Sequence, residues 1–313
     1  MKRRVFLTGV SASALLAAGC GAGGGKAVVK IATKSSGPAE APVATTPTPV
    51  PPPELISSAD TVFQGGAVLI SLVGQVKDGS VTFLERTRPL GQGSQSIYSF
   101  VGIDAEAPPG AHPMKIDFTL ASGSKGSLMS QAVVAKTNWT IDSIIISDKL
   151  AALLDPKLGA DELTALTRVY SGMTYEKLWS GAWAQPVPGA ITTRFGEKRS
   201  YNGAPASGHH SGTDIGAGAG VPVGATNAGR VVMARQLALR GNMVVVDHGG
   251  GLFSGYSHLQ SFAVGEGQAV AAGELLGFVG TTGLSTGPHL HWEMASGGVV
   301  VDAFRFMDGT NGF

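Results

Sequence analysis

Glycine is the residue that most constrains the fold of this chain. It accounts for 46 of the 313 residues, and 27 of those glycines lie in residues 181–313. Glycine weakens helix and strand interiors and favours turns, because it adopts backbone conformations that other residues avoid. Charged residues make up only 14% of the chain and aromatic residues 7%, whereas charged residues usually contribute about 25%. This composition predicts a mainly β protein of short strands joined by many turns.

Composition also excludes several classes of protein. The length is enough for about two domains of ~150 residues each, and a hydrophobic share of 43% is too high for a chain disordered throughout. A net charge of +1 argues against binding to nucleic acid, which needs a densely basic surface. A single cysteine excludes an intramolecular disulfide framework and any site built from several thiolates.

Residues 1–19 predict an export signal. Lys2, Arg3 and Arg4 form a basic start, and residues 5–18 are a mostly apolar run of fourteen. A membrane-spanning helix needs about 20 apolar residues, so this run fits the core of a signal peptide instead. The paired arginines resemble a twin-arginine signal, and both this route and general secretion stay open.

Cys20 follows the apolar run directly and is preceded by small residues. This arrangement resembles the lipoprotein box of bacteria, which implies cleavage before Cys20 and a lipid anchor on its thiol and amine. The alternative is a plain secretory signal in which the cysteine has no role. We therefore predict an exported protein of the bacterial cell envelope, anchored by lipid to the outer face of a membrane or in the periplasm.

Three further segments precede the glycine-rich part. Residues 20–54 form a linker rich in proline and glycine, which cannot bury a core and favours extended chain. Residues 55–146 alternate apolar and polar side chains between turns, as from Met114 to Leu120, and predict a β-sandwich-like domain. Residues 147–180 change to helical spacing and predict a short helical connector, with Asp161 and Glu162 at the N-terminal end of its helix.

Residues 181–313 contain six of the seven histidines, and two short motifs stand out. The first begins with His210 and ends with Asp214; the second contains His289 and His291 around an apolar residue. Imidazole and carboxylate are zinc ligands, and a catalytic zinc site combines three protein ligands with an open position. On a strand, residues i and i+2 point to one face. His210, Asp214 and one histidine of the second motif would supply such a set.

The order and spacing of these motifs resemble the lysostaphin-type (LytM-like) zinc endopeptidases, which cut peptidoglycan cross-links. The resemblance covers residues 185–303 and includes several glycine-rich or histidine-containing stretches around the two motifs: 189–196, 210–214, 241–249, 256–259 and 280–293. It implies that residues 181–313 are a β-rich zinc peptidase domain with an antiparallel sheet.

The resemblance also implies roles for individual residues. His210, Asp214 and His291 match the ligands of one Zn²⁺ ion per chain. His258 and His289 match the two catalytic histidines that do not bind the metal. His289 would orient the attacking water or take its proton, and His258 would help to stabilise the oxyanion, although the sequence alone does not separate the two roles.

Two other histidines need a different interpretation. His209 adjoins His210, but the spacing to Asp214 favours His210 as the ligand, and on an extended segment His209 would point away. We interpret His209 as a residue at the rim of the groove, or as one that contacts the metal ligands without binding the metal. His248 follows a run of three valines, which predicts a structural role or a place at the floor of a groove.

The sequence therefore predicts a zinc-dependent endopeptidase that hydrolyses peptide bonds in peptidoglycan stems or cross-bridges. The alternative is a catalytically silent module that binds peptidoglycan or activates a partner hydrolase. The expected partners are peptidoglycan peptides and, through Cys20, a membrane; no nucleic-acid partner is expected. The domain 55–146 could bind substrate, block the groove or act as a spacer.

Overall fold

The structure is a computed structural model that describes residues 51–307. The predicted signal segment, Cys20 and most of the linker lie outside the described residues. From Pro52 onward the described chain belongs to one compact unit. It is mainly β with few helices, which confirms the predicted fold class. No helix among residues 51–307 is both long and apolar enough to cross a membrane.

The N-terminal half is built from two facing sheets. One has the strand order β1-β3-β7-β6 and the other β2-β9-β8-β4-β5. Met114, Ile116 and Phe118 are buried in the core between them, as their period-two spacing predicts. The strands are β1 (Glu54–Ser57), β2 (Thr61–Phe63), β3 (Ala67–Val73), β4 (Val76–Phe83), β5 (Arg86–Pro89), β6 (Gly91–Gln92), β7 (Ser96–Gly102), β8 (Gly110–Leu120) and β9 (Lys125–Ala135).

Strand β10 (Ile141–Ile144) precedes the connector, which contains helix α1 (Asp148–Ala151), a 3₁₀ turn (Ala152–Leu154) and helix α2 (Pro156–Tyr170). Helix α2 begins earlier than predicted. Proline is favoured in the first turn of a helix, and the Asp155 side chain accepts a hydrogen bond from the Lys157 amide at 2.8 Å. Asp161 and Glu162 therefore lie within the helix, and Glu162 is 5% exposed.

The C-terminal half contains an eight-stranded sheet with the order β11-β14-β22-β18-β17-β16-β20, in which β23 also pairs with β22. All of its pairings are antiparallel, as predicted. Smaller sheets have the orders β10-β12-β13 and β15-β21-β19. The strands are β11 (Ala190–Thr193), β12 (Lys198–Tyr201), β13 (Ser207–His209), β14 (Thr213–Gly216), β15 (Pro222–Gly224), β16 (Gly229–Gln236), β17 (Asn242–Gly249), β18 (Leu252–Leu259), β19 (Ser261–Phe262), β20 (Ala269–Val270), β21 (Leu275–Phe278), β22 (His289–Ser296) and β23 (Val299–Val301), followed by a 3₁₀ turn (Ala303–Phe306).

An aromatic cluster joins the two halves. The Phe100 ring of β7 lies 5.8 Å from the Trp179 ring and 5.9 Å from the Phe306 ring, measured between centroids. Tyr98 and Phe100 belong to the same buried cluster as Trp292 of β22. The N-terminal strands therefore stabilise the sheet that carries the two histidine motifs.

His248 lies in the core of this sheet. Its ring is fully buried, with Nδ1 2.7 Å from the Ala228 carbonyl oxygen and Nε2 2.7 Å from Ser254 Oγ. Burial lowers the pKa of His248 to about 4, with the hydrogen bond to Ala228 acting in the opposite direction. The ring therefore stays neutral in the folded protein at pH values where an unfolded histidine, with a pKa near 6.5, takes up a proton.

We expect His248 to make the protein less stable as the pH falls from about 6.5 to 4. Because the unfolded state binds the extra proton in this window, the free energy of unfolding should fall by up to about 3 kcal/mol from this residue alone. Urea unfolding of the metal-free wild type and His248→Asn across this range measures the effect. The wild type should show the steeper dependence on pH, and equal slopes would contradict the assignment.

Candidate metal centre

Three side-chain donor atoms converge at the end of the large sheet. His210 lies just before β14, and the register of β14 against β22 places Asp214 opposite His291. His210 Nε2, Asp214 Oδ1 and His291 Nδ1 lie 2.8 to 3.0 Å from one another. All three residues are buried, with 5 to 6% exposure. The structure groups His210, not His209, with Asp214.

Hydrogen bonds on the outer side of each ring determine which nitrogen faces the centre. His210 Nδ1 donates to the Arg194 carbonyl oxygen at 2.9 Å, and His291 Nε2 donates to Glu293 Oε1 at 3.0 Å. Both oxygens can only accept, so each neutral ring presents a lone pair on its other nitrogen. These two lone pairs face each other at 2.9 Å, and such a pair requires a cation or a proton between them.

The charges of the site agree with this geometry. Burial lowers the pKa of His210 to about 4, so this ring is neutral at pH 7. Burial also opposes a charge on Asp214, but His210 and His291 hold the pKa of Asp214 well below its usual value. Although burial lowers the pKa of His291, hydrogen bonds to Asp214 and Glu293 raise it overall. The site thus attracts a positive charge, which a proton or a metal ion can supply.

The donor set fits zinc. Two imidazole nitrogens and one carboxylate oxygen are typical ligands of Zn²⁺ in sites that keep a further position open. The backbone at Gly212 passes close to the ring of His291. A Cβ at Gly212 would lie 2.8 Å from His291 Nε2 and 2.5 Å from the Trp292 carbonyl oxygen. Only glycine allows the chain to pass this close to the ligand ring.

His258 and His289 lie beside the three donors. Their ring centroids are 4.7 Å apart, and His258 lies 5.8 Å from the His291 ring. His289 Nε2 lies 3.7 Å from Asp214 Oδ1. The Nδ1 atoms donate to the carbonyl oxygens of Thr282, at 2.7 Å, and Gly287, at 2.8 Å. In the neutral form both rings therefore present Nε2 as a proton acceptor.

His258 has two further features of a functional residue. Its φ is +62°, a conformation uncommon for residues other than glycine and often found where a site holds strain. Burial, followed by the charges of His291 and His289, lowers the pKa of His258 to about 3. The structure therefore holds this ring neutral and in a fixed orientation.

The remaining histidines of the two halves lie apart from this group. His209 Nε2 pairs with Glu106 Oε1 at 3.0 Å, and its Nδ1 lies 2.6 Å from the Gly196 carbonyl oxygen. Its ring also packs against Trp139. His209 thus contacts the N-terminal half, while His112 bonds to the Pro108 carbonyl oxygen within that half.

A cavity of about 630 Å³ opens over the centre. Residues 142–146 line part of it, and residues 142–144 of this stretch belong to β10, which pairs in parallel with β12. The lining also includes residues 284–289 and Leu239. A volume of this size is within the usual range of ligand-binding clefts, and its lining includes five histidines: His209, His210, His258, His289 and His291.

The sequence did not indicate several charged residues that support the centre. Arg199 bridges Asp214, at 3.0 Å, and Asp142, at 3.2 Å. Arg240 pairs with Glu293 at 2.6 Å and with Glu162 at 2.8 Å. Of these residues, only Glu293 could have been predicted from the sequence to lie near His291. It follows His291 by two residues on a strand, so the two side chains share a face. The others are distant in the sequence and follow no local pattern.

Comparison with known proteins identifies relatives of the part that carries this centre. Residues 208–303 match the sequence model of Peptidase family M23. The peptidoglycan DD-endopeptidase ShyA of Vibrio cholerae is 37% identical over 115 residues, which is 37% of this chain and 27% of that protein. The DD-carboxypeptidase/endopeptidase Mpg of Neisseria meningitidis is 42% identical over 93 residues, 30% of this chain and 21% of that protein.

Two further relatives extend the comparison. The murein hydrolase activator NlpD of Salmonella dublin is 34% identical over 128 residues, 40% of this chain and 31% of that protein. The matched region thus spans less than a third of each curated relative. A crystal structure of a Pseudomonas aeruginosa protein assigned to peptidase M23 is similar over 78% of this chain and 94% of that one, with a TM-score of 0.58 and 25% identity. The structural similarity therefore extends beyond residues 208–303.

Proposed function

We propose that this protein is a zinc-dependent endopeptidase that hydrolyses peptide bonds in peptidoglycan stems or cross-bridges, since residues 208–303 match the sequence model of Peptidase family M23. The observation that carries the proposal is the buried group of His210, Asp214 and His291 with two further histidines beside it. The names of the relatives ShyA and Mpg support the substrate class.

In this proposal His210 Nε2, Asp214 Oδ1 and His291 Nδ1 hold the metal. When bound, Zn²⁺ would supply a Lewis acid that polarises a carbonyl group and lowers the pKa of a water molecule toward ~7. Arg199 holds the second oxygen of Asp214, and Glu293 holds the outer nitrogen of His291. These contacts keep the donor atoms directed at one point, which is the usual role of residues that surround metal ligands.

In the same proposal His289 transfers the proton, and His258 orients the water. The Nε2 atom of His289 is next to the ligand set and is available to take a proton from the attacking water and return it to the leaving amine. His258 also presents Nε2 as an acceptor. It can donate to an oxyanion, the role expected from the family resemblance, only after a proton has reached that nitrogen. Its low pKa favours orientation of the water in the resting site.

Digestion of purified sacculi tests this function. Zinc-loaded protein should release muropeptides with new peptide ends, detected by mass spectrometry, and a chelator should stop the release because the donor group loses its metal. His112→Ala, a change at a histidine remote from the centre, serves as the control and should digest like the wild type. Zinc-loaded protein that binds sacculi but creates no new ends would contradict the proposal.

A second candidate function is activation of another hydrolase or simple binding of peptidoglycan. It is favoured by the similarity to the murein hydrolase activator NlpD. A binding module has no need of two histidines with fixed acceptor nitrogens beside a buried donor group. The enzyme is therefore the better interpretation of residues 208–303.

Location is part of the same proposal. We place the protein in the cell envelope, exported and anchored by lipid at Cys20. The support for this is the N-terminal sequence and the peptidoglycan named for the relatives.

A further inference from the structure

We propose that helix α2, which lies outside the family-matched residues 208–303, is a structural part of the metal centre. Its residues Glu162 and Tyr170 act as positioning residues for His291 and His258. This inference rests on the proposed metal site and concerns how tightly that site holds its ion.

The first connection runs through Glu293, which is fully buried. Its Oε1 accepts the His291 Nε2–H at 3.0 Å and two bonds from Arg240, from Nη2 at 2.6 Å and from Nε at 3.0 Å. Its Oε2 accepts the Tyr170 hydroxyl of α2 at 2.7 Å. The carboxylate that sets the tautomer of the ligand His291 is thus held from one side by the helix.

The second connection runs through Glu162. Its Oε2 accepts the Leu239 amide at 2.7 Å, and its Oε1 accepts the Arg240 amide at 3.2 Å and the Arg240 Nη1–H at 2.8 Å. Glu162 therefore holds both the backbone of residues 239–240 and the guanidinium group. With Nη1 engaged by Glu162, the Nε and Nη2 of Arg240 face Glu293.

The backbone of residues 239–240 in turn holds His258 in place. The Arg240 carbonyl oxygen accepts the His258 amide at 2.8 Å, and the Leu239 carbonyl oxygen accepts the Leu284 amide at 2.7 Å. His258 has the uncommon φ of +62°, and this conformation persists only where its surroundings hold it. A single carboxylate on α2 therefore stabilises both a metal ligand and a proton acceptor.

This arrangement is more specific than ordinary packing of a helix on a sheet. Apolar side chains would be enough for packing. Here, in contrast, the buried carboxylate of Glu162 and the buried phenol of Tyr170 form hydrogen bonds with Arg240 and Glu293, which orient the ring of His291. Residues that surround metal ligands in this way typically change metal affinity by about ten- to a hundredfold when altered.

Zinc affinity tests the inference without any substrate. The full chain is compared as wild type, Glu162→Gln, Tyr170→Phe and Asp161→Asn, by competition with a chromophoric chelator. Asp161 is the matched control, because it lies beside Glu162 on α2 but is exposed and pairs with Lys157 of the same helix. Glu162→Gln should weaken zinc binding by about ten- to a hundredfold, Tyr170→Phe by a smaller factor, and Asp161→Asn should bind like the wild type.

Absorption of the Co²⁺-substituted proteins separates positioning from simple destabilisation. If α2 positions His291, the ligand-field bands of Glu162→Gln and Tyr170→Phe should shift even well below their unfolding temperatures. Wild-type affinity and wild-type bands in both variants would overturn the inference, as would a wild type that binds no zinc. Weakened binding in the variants together with a wild type that cleaves no sacculi would overturn the proposed function alone.

Discussion

His291→Ala is expected to abolish stoichiometric zinc binding, whereas His289→Ala is expected to keep the zinc and lose the peptidase activity. His291 supplies one of the three donor atoms, and its removal leaves His210 and Asp214 alone. His289 lies beside that group without belonging to it. Loss of a positioned proton acceptor typically lowers a rate by about 10² to 10⁴, so His289→Ala should lose at least about a hundredfold.

Metal content by mass spectrometry and release of muropeptides give the two readouts. His112→Ala controls for the loss of any histidine, because His112 lies in the N-terminal half and bonds to the Pro108 carbonyl oxygen. Equal zinc retention in His291→Ala and His289→Ala would contradict the ligand assignment, and loss of zinc in His289→Ala alone would show that the two roles are exchanged.

Local sequence patterns predicted individual strands and the shared face of His289 and His291. The alternation from Met114 to Leu120 predicted a half-buried strand, and β8 has that pattern. The spacing of His289 and His291 placed both on one face, with Leu290 and Trp292 buried in the core. Such patterns succeed because neighbours on a strand alternate between faces whatever the rest of the chain does.

Features that depend on distant contacts could not be read in the same way. The acids Asp161 and Glu162 were expected at a helix start, but Pro156 and Asp155 begin the helix. Glu162 is a buried partner of Arg240, which lies 78 residues further along. A buried carboxylate is rare unless it is paired, and no local pattern identifies its partner. The support of the metal centre therefore emerged only from the structure.

Arg240→Met is expected to destabilise the metal-free protein by about 3–5 kcal/mol, the usual cost of leaving buried charges without a partner. Arg240 is 18% exposed and lies between Glu162 and Glu293, whose side chains are 3% and 0% exposed. Burial lowers the pKa of Arg240, but the two carboxylates raise it overall. Since folded domains are stable by only about 5–15 kcal/mol, this single change should shift the urea midpoint strongly.

Arg235→Met gives the matched control for this prediction. Arg235 also pairs with a glutamate, Glu266, but both side chains are about half exposed, 57% and 45%, and such surface pairs contribute at most about 1 kcal/mol. If burial of the unpaired charges is the cause, adding Glu162→Gln to Arg240→Met should recover part of the lost stability, because one uncompensated carboxylate is removed. A double variant as unstable as the sum of its single changes would instead attribute the loss to packing of the arginine side chain.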